Sequence, residues 1–339
     1  MGVMVILSLF NGMSTGHTAL DNVGIKVDKY YSSEIKPHAI KLTQHHYPDT
    51  IQLGDVTRWK DWDIDYSSID MVLSGSPCQD LSIAGKRAGL EGNRSSLFWV
   101  FVDILNHIKG LNPDVLFLQE NVGSAPKGDV GIMSRALGVY PVRINSSLVT
   151  AQLRDRYYWS NIKTRQDGLF GDMVTDIPQP KDRKIIFKDI IQGGAVRVQK
   201  ATALLEGCWK QHIKDKVKQD KYLRNVIKKG FQTPPLVFVD KDKHNCLMEH
   251  YIDANTNKND EYFNGFQEYI VNRPNGMATI IVDQNKMIRL VNKVEMCRLQ
   301  GFPDDWCDIL SYREAGSVLG DGWTLPIIEH IFSFINKRS

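Results

Sequence analysis

The chain has 339 residues, 42% hydrophobic and 24% charged, with a formal net charge of +3. This is the composition of a soluble globular protein with room for one large domain or two smaller ones. No apolar run reaches the length of a bilayer span, and the five widely spaced cysteines (Cys78, Cys208, Cys246, Cys297, Cys307) contain no Cys-x-x-Cys pair, so they read as free thiols of a reducing compartment rather than a disulfide framework.

The first 160 residues or so alternate strand and helix signals. Val3 to Leu9 is a continuous apolar run without a basic leader, a buried strand rather than a signal peptide. It ends in Phe10-Asn11-Gly12-Met13-Ser14-Thr15-Gly16. Val27 to Ser33 reads as a second strand that delivers Glu34, and Pro37 to His46 as a helix with proline in its first turn. Thr50 to Leu53 leads to Asp55. Ile69 to Ser74 is a buried strand running into Gly75-Ser76-Pro77-Cys78. Ser95 to Ile108 has helical apolar spacing with Ser95 or Ser96 as cap. Asp114 to Gln119 is another buried strand, followed by Glu120-Asn121-Val122. Apolar strands alternating with helices predict an α/β fold, a Rossmann-like and mostly parallel sheet covered on both faces.

From about Thr164 the pattern changes. Residues 165–285 are rich in Lys, Asn, Asp and Gln and read as a smaller irregular domain, leaving 1–164 plus 286–339 for the sheet domain. Regular amphipathic order returns over Met287 to Gln300 and over Leu325 to Ile335. Charge is uneven as well: residues 181–230 hold fourteen Lys and Arg against five Asp and Glu, a local excess of +9, which leaves −6 for the remainder. Such a tract suits a module facing a polyanion, or a solvated lysine-rich helix.

In an open parallel sheet, ligands bind beyond the carboxyl ends of the strands. Three groups of residues fall there. Gly12 and Gly16 permit a tight turn and close backbone approach beside a helix N-terminus. Glu34 can accept from both hydroxyls of a ribose, and Asp55 from an adenine amino group. Together they indicate a nucleoside cofactor; a nicotinamide dinucleotide would fit nearly as well, although Gly-x-Gly-x-x-Gly is absent. The second group is Pro77-Cys78. A lone buried cysteine is more often inert packing. This one opens onto the crevice and is followed by Gln79 to Arg94, where Gly85, Gly89 and Gly92 with Lys86, Arg87 and Arg94 make a basic loop. Positive charge of that kind favours the thiolate. The third is Glu120, either a general acid for a ring nitrogen or an exposed strand-end acid. Beyond these, Gln152, Arg154 and Arg156 share one face if the run is a strand, where two cations can stabilise negative charge, hold a phosphate or form a surface ion-pair ladder.

The order of these pieces resembles the cytosine carbon-5 DNA methyltransferases over nearly the whole chain. Phe10 to Gly16 is similar to the family's cofactor loop and Gly75-Ser76-Pro77-Cys78-Gln79-Asp80-Leu81-Ser82 to its Pro-Cys nucleophile motif. Ile83 to Leu90 and Arg94-Ser95-Ser96-Leu97-Phe98 resemble its catalytic loop and following helix. Glu120-Asn121-Val122 and the Gln-x-Arg-x-Arg run at 152–156 match in order and spacing. Arg289-Leu290, Glu295 and Arg298-Leu299-Gln300-Gly301-Phe302-Pro303-Asp304-Asp305-Trp306 are similar to the segment that organises the recognition domain. The last motif departs: where bacterial members usually read Asn-Ser-Val, this chain has Gly320-Asp321-Gly322-Trp323-Thr324, closer to the Ser-Trp form of the vertebrate de novo enzymes.

The resemblance implies the fold of S-adenosylmethionine-dependent methyltransferases, with 165–285 as target-recognition region. It implies a cofactor site of Leu9, Phe10, Gly12, Ser14, Thr15, Gly16, Glu34, Asp55, Val56, Pro77 and Trp323. Cys78 would attack carbon 6 of a flipped-out cytosine in double-stranded DNA, Glu120 would donate to ring nitrogen 3, Arg156 would hold the exocyclic oxygen, and Arg154 would support the catalytic loop or a phosphate. Ser82, Gly85, Lys86, Arg87 and Arg94 would close over the DNA. Neither a metal nor a membrane is expected, and the setting is the cytoplasm of a prokaryote or a virus-infected host, with restriction–modification, viral DNA protection and regulation all open as roles. An RNA cytosine methyltransferase and a catalytically inactive DNA-binding regulator are the alternative readings. A zinc-dependent deaminase is disfavoured because residue 81 is leucine and no His-x-Glu occurs.

Overall fold

The computed structural model describes residues 3–77, 96–168, 171–192, 199–204, 236–240 and 286–335. The opening apolar run forms β1 (Met4–Leu9), which pairs in parallel with β2 (Val27–Ser33) on one side and β4 (Met71–Ser74) on the other. β3 (Ile51–Gln52) extends the sheet beyond β2 and β5 (Leu116–Val122) beyond β4, again in parallel. β8 (Asp155–Ser160) and then β6 (Val142–Asn145) complete the far edge antiparallel, so the seven strands run β3-β2-β1-β4-β5-β8-β6. Helices α1 (Thr15–Asn22), α2 (Pro37–His46) and α3 (Ser96–Leu111) link the parallel strands, and α4 (Lys127–Leu137) follows β5. The expected Rossmann-like, mostly parallel sheet is therefore the observed one. Its order reverses between β1 and β4, which places a crevice beyond their carboxyl ends.

All four residues of β4 are buried, as a strand covered on both faces requires. Leu7, Leu9, Val72, Phe101, Leu105, Phe117 and Trp159 share one apolar core. Contacts divide the chain into two compact units, Met1–Leu148 with Asp155–Asp182 and Gly322–Ser339, and Val149–Arg154 with Arg183–Asp321. The first unit also holds the antiparallel pair β9 (Thr164–Asp167) and β10 (Asp172–Thr175) and, near the end of the chain, α8 (Leu325–Phe332), whose Leu325, Ile327, Ile328 and Ile331 are buried and which packs on α1.

In the second unit, β7 (Gln152–Leu153) pairs in parallel with β11 (Ala201–Thr202), and β12 (Leu236–Asp240) antiparallel with β13 (Lys286–Leu290). Helix α6 (Lys293–Gln300) packs against α5 (Phe187–Ile190) and α7 (Tyr312–Asp321). α6 starts with a reciprocal cap: Asn292 Oδ1 accepts the Glu295 N–H at 2.9 Å, and Glu295 Oε2 accepts the Asn292 N–H at 2.8 Å. It ends on Gly301 at φ 80°, the left-handed residue a helix C-terminus favours. Arg298 forks onto Asp304 through Nε at 2.7 Å and Nη2 at 2.6 Å, which holds the turn after the helix. Cys297 and Cys307 are buried free thiols.

Three elements differ from the sequence reading. The strand expected to stop at Gln119 runs on to Val122, so Glu120-Asn121-Val122 lies inside β5. The parallel neighbour β4 ends opposite Gln119, but antiparallel β8 continues the ladder through Glu120 opposite Tyr158 and Val122 opposite Arg156. Residues 152–156 are not one strand, because the chain breaks at Arg154 between β7 and β8. The amphipathic run from Met287 to Gln300 splits into strand β13 and helix α6, with the Asn292 cap marking the change of period.

Candidate active site

The loop after β1 is built on strained backbone. Phe10, Gly12 and Ser14 have φ of 56°, 58° and 59°; glycine adopts this freely, whereas phenylalanine and serine do so at a cost of about 1–3 kcal/mol each, which surrounding contacts must offset. Those contacts are visible. Asn11 Nδ2 donates to Ser14 Oγ at 2.7 Å, Ser14 Oγ pairs with Thr43 Oγ1 of α2 at 2.9 Å, and the Tyr30 hydroxyl of β2 donates to Asn11 Oδ1 at 3.1 Å. Behind them His17 lies between two tyrosine rings, 4.4 Å from Tyr30 and 3.9 Å from Tyr47 by centroids, at 10° and 15°. Burial lowers the His17 pKa to about 4, so the sandwich holds a neutral imidazole. Burial likewise pushes Tyr47 up to about 12 and raises Tyr30. Thr15 and Gly16 are buried in the first turn of α1. A Cβ on Gly16 would stand 2.4 Å from Leu73 Cδ1, so glycine is what lets α1 lie against β4.

Glu34, just past β2, closes the other side. Its Oε2 accepts the Gly12 N–H at 2.7 Å, and its Oε1 accepts the N–H groups of Ile35 and Lys36 at 2.8 and 2.9 Å. The carboxylate is thereby held at the mouth of the loop, with acceptor capacity on Oε2 beyond the one N–H. Ile35, 69% exposed, presents an apolar side chain beside it. Asp55 caps a 3-10 turn, its Oδ1 taking the Thr57 N–H at 2.9 Å and the Thr57 hydroxyl at 2.8 Å, and the next residue, Val56, is buried. The Leu53 N–H bonds Ser32 O at 2.8 Å, and the Ser33 hydroxyl donates to Gly54 O at 2.7 Å; these two bonds bring Asp55 to the edge near Glu34.

The ends of β4 and β5 carry the second half of the site. Gln119 Nε2 donates to Ser76 Oγ at 3.0 Å, tying the Gly75-Ser76-Pro77 segment to β5. One residue on, the Glu120 side chain is nearly buried and ion-paired: Arg156 Nε lies 2.7 Å from its Oε1. Trp323 Nε1 donates to its Oε2 at 3.2 Å. The same indole covers Gly75, where an added Cβ would come 2.8 Å from Nε1. Arg156 Nη1 is held by Asp155 O at 2.8 Å.

The structure thus brings Leu9, Phe10, Gly12, Ser14, Thr15, Gly16 and Glu34 together around one loop, and Pro77, Glu120, Arg156 and Trp323 around the ends of β4 and β5. Arg154 is placed differently. It is 3% exposed, and its Nη1 donates to Leu204 O at 3.2 Å and Gly320 O at 3.1 Å, so its charge serves backbone carbonyls of the second unit. Gln152 does the same kind of work, donating to Leu299 O at 2.8 Å and Gln300 Oε1 at 3.0 Å and accepting the Leu204 N–H at 3.2 Å. Cys78, Ser82, Gly85, Lys86, Arg87 and Arg94 lie outside the described residues, as does most of the lysine-rich tract. Residues not foreseen from sequence are Asn11, His17, Tyr30, Thr43, Tyr47, Ile35 and Gln119. Only Asn11, beside Gly12 in a loop, carried a local hint.

The family described as C-5 cytosine-specific DNA methylase matches residues 4–134 and 139–337. An orphan methyltransferase of Bacillus phage SPR, M.SPRI, is 30% identical over 213 residues, 58% of this chain and 44% of its own length. A type II methyltransferase of Lactococcus lactis subsp. cremoris, M1.ScrFI, is 26% identical over 316 residues, 90% of this chain and 71% of its own. The chain therefore spans less than half of the phage relative. Among solved structures, the methyltransferase EhMeth of Entamoeba histolytica superposes with a TM-score of 0.60 at 11% identity, over 99% of this chain and 98% of that one. DNMT2 of Spodoptera frugiperda gives 0.56 at 15%, over 98% and 99%. At those identities the structural likeness speaks for the fold.

Proposed function

The chain belongs to the C-5 cytosine-specific DNA methylase family, and from that premise we propose that it methylates carbon 5 of cytosine in double-stranded DNA, with Cys78 as nucleophile and S-adenosylmethionine as donor. The observation that carries the reading is the Glu120 carboxyl group, paired with Arg156 at the end of β5 and joined through Gln119 and Ser76 to the segment that leads into Cys78.

The residues present fit the donor. The Phe10–Ser14 turn is held in shape by hydrogen bonds of the chain itself, Glu34 retains acceptor capacity for ribose hydroxyls, and exposed Ile35 offers an apolar face to a purine. Leu9, Phe10, Gly12, Ser14, Thr15, Gly16, Glu34, Asp55, Val56 and Pro77 would hold it. When bound, S-adenosylmethionine supplies an electrophilic methyl group.

The protein's own part is to make carbon 5 nucleophilic. The Cys78 thiolate forms a bond to carbon 6, and the electron pair of the 5,6 double bond moves onto carbon 5. Glu120 gives a proton to ring nitrogen 3, offsetting the charge that develops on the ring, while Arg156 holds the exocyclic oxygen. After carbon 5 has taken the methyl group, a base removes its proton and the sulfur–carbon bond breaks as the double bond reforms. The proton on nitrogen 3 returns to Glu120. A stacked base cannot reach such a site, so the cytosine is flipped out, with Ser82, Gly85, Lys86, Arg87 and Arg94 closing over the DNA. Residues 165–285, with their basic stretch, act as the recognition region on phosphates and base edges.

Bisulfite sequencing of DNA from a methylation-free host expressing the chain tests this. The wild-type should leave methylated cytosines in one sequence context and Cys78→Ala none, while DNA containing 5-fluorocytosine should trap a covalent complex. Methylation by Cys78→Ala at the wild-type rate removes the nucleophile. Transfer of methyl groups to transfer RNA and not to duplex DNA overturns the substrate.

A further inference from the structure

The indole of Trp323 stands where the resemblance implies a wall of the cofactor site, yet it meets the ends of β4 and β5. Its ring lies over Gly75, whose missing side chain makes the approach possible, and its N–H points at Glu120 Oε2. Its backbone is anchored independently. The next residue, Thr324, is buried, accepts from the Ser146 hydroxyl at 2.9 Å and starts α8, which is itself tied to α1 by Asn22 and Glu329 at 2.6 Å. The indole is therefore held by packing and by the Ser146–Thr324 hydrogen bond as well as by the carboxyl group.

We propose that Trp323 is a positioning residue for Glu120: its N–H, together with Arg156, fixes the plane of the carboxyl group that serves the cytosine ring. The inference rests on the methyltransferase reading above. The two donors divide the carboxyl group. Arg156 Nε takes Oε1 at 2.7 Å with a full charge, and Trp323 Nε1 takes Oε2 at 3.2 Å without one. With the guanidinium on Oε1, Oε2 is the oxygen from which a proton can pass to the base. An indole N–H is a donor only. It steadies Oε2 through one lone pair and has no acceptor with which to capture the proton, which is left for the ring nitrogen of the base. An asparagine in that place would present a carbonyl oxygen in one of its two flips and compete for the same proton.

Trp323→Phe keeps an aromatic ring over Gly75 and removes the N–H. The expected result is a fall in kcat of about tenfold, the worth of one hydrogen bond to a charged group, with the KM for S-adenosylmethionine within about twofold of wild-type. Release of the carbon-5 hydrogen from DNA in the absence of the donor, which needs the Cys78 addition and the Glu120 proton but no methyl transfer, should fall in parallel. Trp323→Phe added to Glu120→Gln should cost little further. A large rise in KM with kcat unchanged would make Trp323 a cofactor wall and overturn the proposal, as would no change in either constant. The contact has its own readout. Among the seven indole N–H resonances of the 15N-labelled chain, the one lost in Trp323→Phe should shift in Glu120→Gln, and an unmoved resonance denies the hydrogen bond. If wild-type chain methylates no cytosine, the functional reading fails and the catalytic half of this inference with it; the resonance then decides the contact alone.

Discussion

Gly16 supports a quantitative test of how the loop after β1 is held. A methyl group on its Cα would sit 2.4 Å from Leu73 Cδ1 and 3.1 Å from the Tyr30 hydroxyl. Carbon atoms rest at about 3.5–4.0 Å, so either the leucine or the first turn of α1 must move by roughly 1 Å. Leu73 is fully buried in β4, so its side chain cannot swing out into solvent. Overpacking of this kind costs about 1–3 kcal/mol, from which the better helix propensity of alanine returns at most about 1, leaving a net loss of about 1–2 kcal/mol for Gly16→Ala. Leu73→Ala alone should cost about 2–5 kcal/mol as a cavity. In the double variant the new methyl enters the vacated space, so its loss should fall short of the sum by at least about 1 kcal/mol. Guanidinium chloride denaturation of the three variants measures this, and calorimetric titration with S-adenosylhomocysteine follows the loop, with affinity falling about tenfold in Gly16→Ala as α1 is pushed outward. Additivity within about 0.5 kcal/mol would refute the reasoning, because it would mean that Gly16 and Leu73 do not compete for one volume.

Arg154→Met should act on stability: it strips a donor from the carbonyls of Leu204 and Gly320, expected to cost about 2–4 kcal/mol by thermal or chemical unfolding, while kcat of the folded fraction stays within about twofold. A kcat loss of two orders of magnitude in well-folded protein would return Arg154 to the reaction. For His17, burial places the folded pKa near 4 against 6.5 in the free chain, so the unfolded state takes up the proton first as pH falls. The associated stability is present in full above pH 6.5 and lost as pH drops towards 4, about 2 kcal/mol after allowing for partial solvent contact; urea midpoints at pH 7.5 and 4.5 should therefore fall less in His17→Phe than in wild-type, and parallel falls would remove the effect. Gly75→Ala places a methyl 2.8 Å from the Trp323 indole nitrogen and should lower kcat without a comparable rise in donor KM; unchanged turnover would show that the ring yields without cost to Glu120.

Much of the sheet was legible because its signals are local. Val27–Ser33 and Pro37–His46 appear with the bounds read from sequence, since a short stretch carrying Val27 and the Tyr30-Tyr31 pair and a proline at a helix start are each decided within a few residues. Glu120-Asn121-Val122 was foreseen at the end of the strand and does end β5; what the sequence left out is the antiparallel strand β8, about 35 residues later, that carries the pairing past Gln119. Arg154 and Arg156 are two residues apart and look alike in the sequence. One donates to buried carbonyls at Leu204 and Gly320 and the other pairs with Glu120.

What the amino-acid order alone determined is which chemistry stands at which strand end: glycines and small polar residues after β1, acids after β2 and along β5, and the Pro-Cys pair after β4. Hydrophobic period and turn residues act over a few positions, so they survive without knowledge of the fold. Only the tertiary structure decided the partners. Trp323 meets Glu120 across 203 residues of chain, and Asn11 takes its bond from Tyr30 and shares Ser14 with Thr43. Such pairings follow from the packing of α8 on α1 and of α2 beside the loop, a property of the folded volume that no local pattern encodes.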